Sequence, residues 1–163
     1  MMRQRQVGTP PVSQNQSGLV LLVVLVFISV ATLAASSMVV VYQQQTQREK
    51  EDQLLFAGDQ IRRAIRAYYN AVPPSATKSY PPTLKALLND TRFPVPVQHL
   101  RRLYVDPMTG AADWSLITEG TGIAGVYSRS NLPVIKQKGF PKDYQSFENK
   151  TSSRDWRFTA KSD

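Results

Sequence analysis

The sequence predicts an α+β protein in which one long N-terminal helix packs on a small antiparallel β-sheet. Three observations predict this fold class. An uncharged apolar run covers residues 19–42, apolar residues at helical spacing follow over 43–72, and short segments separated by turn signals lie in 73–163. The first half of the helix is expected to be transmembrane and the second half amphipathic. The four predicted parts of the chain are a leader at 1–18, the transmembrane half of the helix at 19–42, its amphipathic half at 43–72 and a small globular periplasmic domain at 73–163.

The apolar run is long enough to cross a membrane. It contains 24 uncharged residues, which at about 1.5 Å per helical residue extend about 36 Å, compared with about 30 Å for a hydrocarbon core. The leader carries two charges, Arg3 and Arg5, and the positive-inside rule therefore keeps it cytoplasmic. We expect a single-pass protein of the bacterial inner membrane with a periplasmic C-terminal domain. Three uses of the run stay open: a signal peptide cleaved near residues 34–36, a plain anchor, and processing next to Gly18.

The second half of the helix is predicted from an apolar stripe. Its members recur every three or four residues, which is the spacing of one helical face. They are Leu54, Leu55, Gly58, Ile61, Ile65, Tyr68 and Val72. The solvated surface of the helix is expected to include residues 49–52, Arg62, Arg63 and Arg66. Because Pro73-Pro74 cannot continue a helix, one helix is expected from about residue 19 to 71.

The globular part is expected to contain a short helix and the sheet. Residues 80–88 predict a helix with proline in its first turn, and Asp106-Pro107-Met108-Thr109-Gly110 predicts a turn. A hairpin is expected through residues 119–122, and the aromatic residues are interpreted as core and subunit contacts. The predicted strands are 114–118, 123–128, 155–159 and a shorter one at 134–136.

The composition excludes several kinds of chemistry. The 163-residue chain has no cysteine, which rules out disulfides, thiolate metal sites and a thiol nucleophile. Its single histidine, His99, has no catalytic motif around it, so we expect a partly exposed structural histidine and no enzymatic activity. No cofactor or metal is expected, since Asp143, Glu148 and Asp155 are too scattered for a calcium-binding loop.

Several motifs in a fixed order resemble one family. Gly18 directly precedes the apolar run, Tyr80-Pro81-Pro82-Thr83-Leu84 follows the long helix, and Asp106-Pro107 with Gly110 precedes the strands. The segments LRRLYVDPMTG and DWRF add to the likeness. The chain resembles type IV pilin-like proteins, and most of all the G-type pseudopilins of type II secretion systems.

The resemblance implies a fold, a processing step and a role. The expected fold is type IV pilin-like. A prepilin peptidase that is also an N-methyltransferase is expected to cut between Gly18 and Leu19. Mature subunits are then expected to stack their helices with other pseudopilin subunits into a periplasmic filament that supports protein export. The other implied partners are an inner-membrane secretion platform and the lipid bilayer.

Two positions depart from the family pattern. Leu19 stands where Phe or Met is usual, and Val23 stands where a glutamate is usual. In the family that glutamate is thought to pair with the amino terminus of a neighbouring subunit, because a charge buried in an apolar bundle needs a partner. Val23 therefore predicts a minor or tip subunit, or assembly by another route.

The basic composition keeps other classes of function open. Lys and Arg number 20 against 12 Asp and Glu, which gives a net charge of +8. Such an excess is compatible with a patch for DNA, as in pilin-like DNA-uptake machines, and equally with acidic headgroups or an acidic neighbouring subunit. The basic residues are distributed along the chain, and nucleic acid is not the expected partner. The basic residues considered are Arg62, Arg63, Arg66, Arg101, Arg102, Lys136, Lys138, Lys142 and Lys150. A minor pilin of a type IV pilus and a plain anchored periplasmic domain are the remaining alternatives.

Overall fold

The computed structural model describes residue 8 and residues 15–74 and 77–161, so most of the predicted leader lies outside the described residues. The chain forms two compact units, Met1–Gln43 and Gln44–Asp163. The structure is α+β, with one α-helix, short 3₁₀ helices and a three-stranded antiparallel sheet in the described residues. Each unit is described by itself below.

The α-helix, α1, covers Asn15–Asn70. It begins inside the predicted leader rather than at Leu19, and it ends one residue before the expected position. The leader residues from Asn15 to Gly18 contain no proline, so nothing in them interrupts the helix that continues through the apolar run.

The predicted transmembrane segment at 19–42 is wrong. Among residues 8, 15–74 and 77–161, no helix is both long and apolar enough to cross a membrane. The transmembrane half of the expected fold and the single-pass inner-membrane location are corrected accordingly.

In the second unit, the C-terminal part of α1 supplies one face of the core. Leu54, Ile61 and Ile65 have no exposed surface, as the predicted apolar stripe requires. Gly58 belongs to the stripe for a different reason. A Cβ built on it would overlap the ring of Phe158, so a glycine is needed for the ring to pack against the helix backbone.

An arginine from a later loop caps the C-terminal end of α1. A helix leaves its last carbonyl groups without partners inside the helix. Arg92 Nη2 donates a hydrogen bond to the carbonyl oxygen of Tyr68 at 2.7 Å. The Arg92 guanidinium also lies over the Tyr68 ring, 3.5 Å from its centroid. The arginine thus satisfies a terminal carbonyl and packs against the last turn.

The predicted helix at 80–88 is a single 3₁₀ turn, Leu84–Leu87. It stops because the carbonyl oxygen of Leu87 accepts hydrogen bonds from the backbone N–H groups of His99 and Leu100, both at 2.9 Å. The carbonyl that would continue an α-helix is therefore used by a distant loop.

The sheet has three antiparallel strands in the order β1-β2-β3. They are Ser115–Glu119 for β1, Gly122–Tyr127 for β2 and Phe158–Thr159 for β3. The first two form the predicted hairpin, and its turn places Gly120 at a φ of 60°, which glycine adopts readily. All of β2 except its last residue is buried, whereas β1 is partly or fully exposed. The sheet therefore contributes to the core mainly through β2.

Two predicted strands differ from the structure. The segment 134–136 is not a strand; next to it, Pro133 forms an isolated bridge with Ser152, and proline cannot donate to a longer ladder. The last strand is shorter than predicted because Ser153–Asp155 forms a 3₁₀ turn, in which the Trp156 N–H bonds the Ser153 carbonyl at 3.3 Å.

Aromatic side chains fill the core of the second unit. Phe147 stacks on Trp156 with ring centroids 5.8 Å apart and meets Phe158 edge-on at 5.2 Å. Phe140 and Tyr144 extend the same cluster. All five are buried, which confirms the interpretation of these residues as core.

Candidate assembly surface

The first unit presents an uncharged apolar surface. From Leu19 to Val30 the large hydrophobic side chains of α1 are exposed, with exposed fractions from 49% at Val24 to 75% at Phe27. No charged residue lies between Gly18 and Gln43 in the sequence. Removing apolar area from water gains about 25 cal/mol per Å². This surface therefore favours contact with another apolar surface.

The hydroxyl groups in this surface form hydrogen bonds within the helix. Ser29 Oγ donates to the carbonyl oxygen of Leu25 at 2.7 Å. Thr32 Oγ1 lies 2.8 Å from the carbonyl oxygen of Ser29 and 3.1 Å from that of Ile28. A hydroxyl that bonds its own helix backbone needs no polar partner outside the helix. These positions are therefore compatible with a dry contact between helices.

The predicted processing site lies near the beginning of α1. Gly18 is exposed, and a Cβ built on it would meet no atom within 4 Å, so packing inside the chain does not require glycine there. Glycine lowers helix stability by about 1 kcal/mol relative to alanine, and the first turn lacks part of its backbone hydrogen bonds. The bond between Gly18 and Leu19 therefore lies where the helix opens at low cost.

Leu19 and Val23 share one face of α1, because they are one helical turn apart. Their exposed fractions are 67% and 58%. Val23 thus places a branched apolar side chain where the resemblance implies a carboxylate. The first acidic residue after Leu19 is Glu49, so an amino group formed at Leu19 has no acidic residue of its own helix nearby.

Glu51 attaches α1 to a loop of the second unit. It is 1% exposed, and its two carboxylate oxygens accept hydrogen bonds from the backbone N–H groups of Ile135 at 2.7 Å and Lys136 at 2.9 Å. Gln47 Nε2 adds a third, longer contact at 3.3 Å. Such bonds are what makes a buried carboxylate tolerable. The interpretation of 49–52 as a solvated stretch is therefore wrong at Glu51.

Arg62 lies in a buried ion-pair cluster, which corrects its interpretation as a solvated residue. It is 7% exposed, and its Nη2 lies 2.9 Å from Asp59 Oδ1 and 3.1 Å from Asp143 Oδ2. Arg63 reaches the other oxygen of Asp59 at 2.7 Å, and the Tyr144 hydroxyl donates to the same carboxylate. Burial alone raises the pKa of Asp59, but the hydrogen bonds from Tyr144 and Arg62 outweigh it and lower the pKa. Burial and the bond to Asp59 both raise the pKa of Tyr144.

A second buried cluster surrounds Asp90, which is 1% exposed. Arg92 donates to both carboxylate oxygens, from Nε at 2.9 Å and from Nη2 at 2.7 Å, and His99 Nε2 lies 3.0 Å from Oδ2. Burial alone raises the pKa of Asp90, but the hydrogen bonds from Arg92 and His99 lower it to about 2. The side chain of His99 is 6% exposed, and the residue as a whole is half-buried. Sequence reasoning missed the cluster, because short motifs do not reveal which loop lies at the helix end.

The basic residues considered for DNA binding have different surroundings. Arg62 and Arg63 face Asp59, and Lys136 Nζ lies 3.7 Å from Asp52 Oδ1. Lys142 lines a cleft of the second unit that Arg62 also borders. Several of these cations are thus partly compensated by carboxylates of the same chain.

The carboxylates considered for calcium do not form a site. Within the described residues, no group of three or more His, Asp or Glu side chains is placed to hold a metal ion. Asp143 faces Arg62 instead, and Glu148 and Asp155 are exposed.

Compared with known proteins, the chain matches no family model, no curated protein and no solved structure. The function proposed below therefore rests on the residues and geometry of this chain and on the resemblance of its motifs.

Proposed function

We propose that the chain is a structural, pseudopilin-like subunit of a type II secretion-type filament. In this filament, the apolar part of α1 is covered by the same helix of other copies or of other pseudopilin subunits. The observation that supports the proposal is the exposed, uncharged surface from Leu19 to Val30. The role is structural, and the residues that assemble are those of the helix.

The energetics of the exposed side chains favour such a bundle. Fully burying a valine, leucine or phenylalanine side chain gains about 1.5–3 kcal/mol. Eleven large hydrophobic side chains between Leu19 and Val30 are at least 49% exposed, so burying most of them together gains enough to offset the cost of association, about 4–15 kcal/mol. Because Ser29 and Thr32 bond their own backbone, these hydroxyls do not oppose burial.

Processing after Gly18 by a prepilin peptidase is part of the proposal. Cleavage removes Arg3 and Arg5 and leaves a chain that begins with the apolar helix. Since Val23 cannot pair with the amino group of a neighbour, we propose a minor or end position in the filament rather than that of the main repeating subunit.

Co-expression with a prepilin peptidase tests the proposal. We expect a loss of about 2 kDa, the share of the 18.3 kDa chain that residues 1–18 represent. Gly18→Leu is expected to block cleavage, because it places a bulky side chain directly before the bond that the peptidase cuts. Gly8→Leu is the matched control: Gly8 is also a leader glycine, and a Cβ there meets no atom within 4 Å.

The processed chain is then expected to sediment with a polymer of the other pseudopilin subunits in ultracentrifugation. A chain of unchanged mass that still begins at Met1 or Met2, and never enters a polymer, contradicts the proposal. A DNA-uptake pilin is the second candidate, but the pairing of Arg62 and Arg63 with Asp59 speaks against it. DNA binding that is lost at higher salt would favour it.

A further inference from the structure

A basic cleft lies in the second unit, beside the 3₁₀ turn Lys142–Phe147 and β3. Its volume is about 360 Å³. Lys142, Arg157 and Lys161 line it and are exposed, and the buried Tyr144 also contributes to its wall. Three cations from three separate chain positions therefore meet in one concave surface.

The carboxylate that lines this cleft does not neutralise these three cations. Asp143 Oδ2 lies 3.1 Å from Arg62 Nη2, and Arg62 also borders the cleft. Asp143 therefore compensates the charge of the buried Arg62. It does not compensate the charges of the three exposed cations. Within the described residues, Lys142 and Arg157 form no ion pair; the Arg157 guanidinium lies over the Tyr127 ring, 5.4 Å from its centroid.

Lys161 has a partner that it can exchange. Its Nζ lies 3.1 Å from Glu119 Oε1, but the side chains of the two residues are 72% and 50% exposed. Pairs between exposed side chains contribute little, because water and salt screen them. An incoming anion can therefore engage Lys161 at little cost.

The wall of the cleft is part of the core and is already in place. Tyr144 stacks on Phe147 with centroids 5.0 Å apart and meets Phe158 edge-on at 5.8 Å. A surface that does not need to be ordered on binding loses less entropy than a loose loop.

We propose that this cleft binds an acidic segment of a partner protein, whose carboxylates pair with Lys142, Arg157 and Lys161. Gln145 and Ser146 also line the cleft and supply neutral hydrogen-bond donors. Nucleic acid fits less well, because a strand needs a basic groove that continues over several nucleotides. With a net charge of +8, the chain itself favours an acidic partner. This proposal does not depend on assembly into a filament.

The test measures binding of a fluorescent hexaglutamate peptide to the full chain by fluorescence anisotropy at low and at moderate salt. We expect binding that weakens with salt, because exposed ion pairs are screened. Changing Lys142, Arg157 and Lys161 together to alanine is expected to weaken binding by about tenfold or more, since three weak ion pairs with the peptide are lost together. The single change Lys142→Glu, at an exposed position, is expected to weaken it about threefold or more by repulsion.

The matched control removes the same charge elsewhere, by changing the exposed residues Lys78, Lys85 and Arg101 to alanine. Binding to this control is expected within about twofold of the unchanged chain, and circular dichroism checks the fold of each variant. Equal losses in the two triple variants, or no binding by the unchanged chain at low salt, overturn the proposal. A hexathymidylate that binds more tightly than hexaglutamate, and is lost in the cleft variant, assigns the cleft to nucleic acid instead.

Discussion

The ring of Phe158 packs on the backbone of α1 at Gly58. A Cβ built on Gly58 would overlap three carbon atoms of that ring, and Phe158 itself has no exposed surface. The contact joins the helix to β3 without an intervening side chain. Glycine in the middle of a helix costs about 1 kcal/mol relative to alanine. The packing of the ring against the helix backbone offsets this low helix propensity.

Gly58→Ala is expected to lower the free energy of unfolding by about 1–3 kcal/mol, because the added methyl group forces the Phe158 ring to move inside a packed core. Urea denaturation measures the change. In the double variant with Phe158→Leu, the cost of the alanine is expected to become smaller, since the ring is absent. If Gly58→Ala stabilises the protein, helix propensity outweighs the contact and the packing argument fails.

The pKa of Asp90 makes stability depend on pH in the acid range. It is about 2 in the folded state, compared with about 3.9 in an unfolded chain. Because the folded pKa is lowered, the contribution is fully present above about pH 4 and is lost as the pH falls towards about 2. Denaturation midpoints measured across this range are expected to fall, and Asp90→Asn is expected to reduce the slope.

Asp52→Asn is the control for this pH dependence, because the Asp52 side chain is 73% exposed and its contact with Lys136 is long, at 3.7 Å. It is expected to leave the slope unchanged. A slope that persists unaltered in Asp90→Asn would show that other carboxylates carry the acid sensitivity.

Glu51→Gln is expected to lower the free energy of unfolding by about 1–3 kcal/mol, because the amide has one acceptor oxygen for two partly buried backbone N–H groups. Thermal unfolding measures the change, and faster hydrogen exchange at Ile135 and Lys136 locates it. Glu49→Gln, an exposed neighbour on the same helix, is expected to change stability by less than about 0.5 kcal/mol. Equal effects of the two changes would contradict the role of Glu51.

Leu25→Asp is expected to prevent entry into the filament, because an unpaired charge in an apolar contact costs about 3–5 kcal/mol. Leu25 is 58% exposed, so the folding of the second unit is expected to be unaffected, as near-UV circular dichroism would show. Gln44→Asp introduces the same charge at an exposed position outside the apolar run and is expected to assemble. Normal sedimentation of Leu25→Asp with the polymer would rule out a contact at this position.

Local patterns predicted a large part of the architecture. The spacing of Leu54, Ile61 and Ile65 indicates one buried face of α1, and all three have no exposed surface. The hairpin follows from two short segments separated by glycines, and β1 does pair with β2, with a turn shorter than predicted because Glu119 and Gly122 already pair. At Asp106, the predicted turn is closed by a hydrogen bond from the Gly110 N–H at 2.8 Å. Periodicity and backbone preference act within a few residues, which is why the sequence reveals them.

The membrane interpretation shows the limit of such patterns. The uncharged run after Gly18 predicted a spanning helix, yet no helix in the described part of the chain is long and apolar enough for that role. A long uncharged run in the sequence does not by itself establish a transmembrane segment. In the structure the run forms an exposed apolar surface, which we propose is used in assembly.

By itself, the sequence determined the apolar helix face, the hairpin, the turn at Asp106 and the absence of cysteine chemistry, because these depend on neighbouring residues or on composition. Only the tertiary structure decided which charged side chains are buried. The sequence pattern of the helix predicted Glu51 and Arg62 to be solvated. Both are buried, because hydrogen-bonding groups 81 to 85 positions later in the chain contact them. Long-range contacts of this kind depend on how the whole chain packs, and no local spacing encodes them.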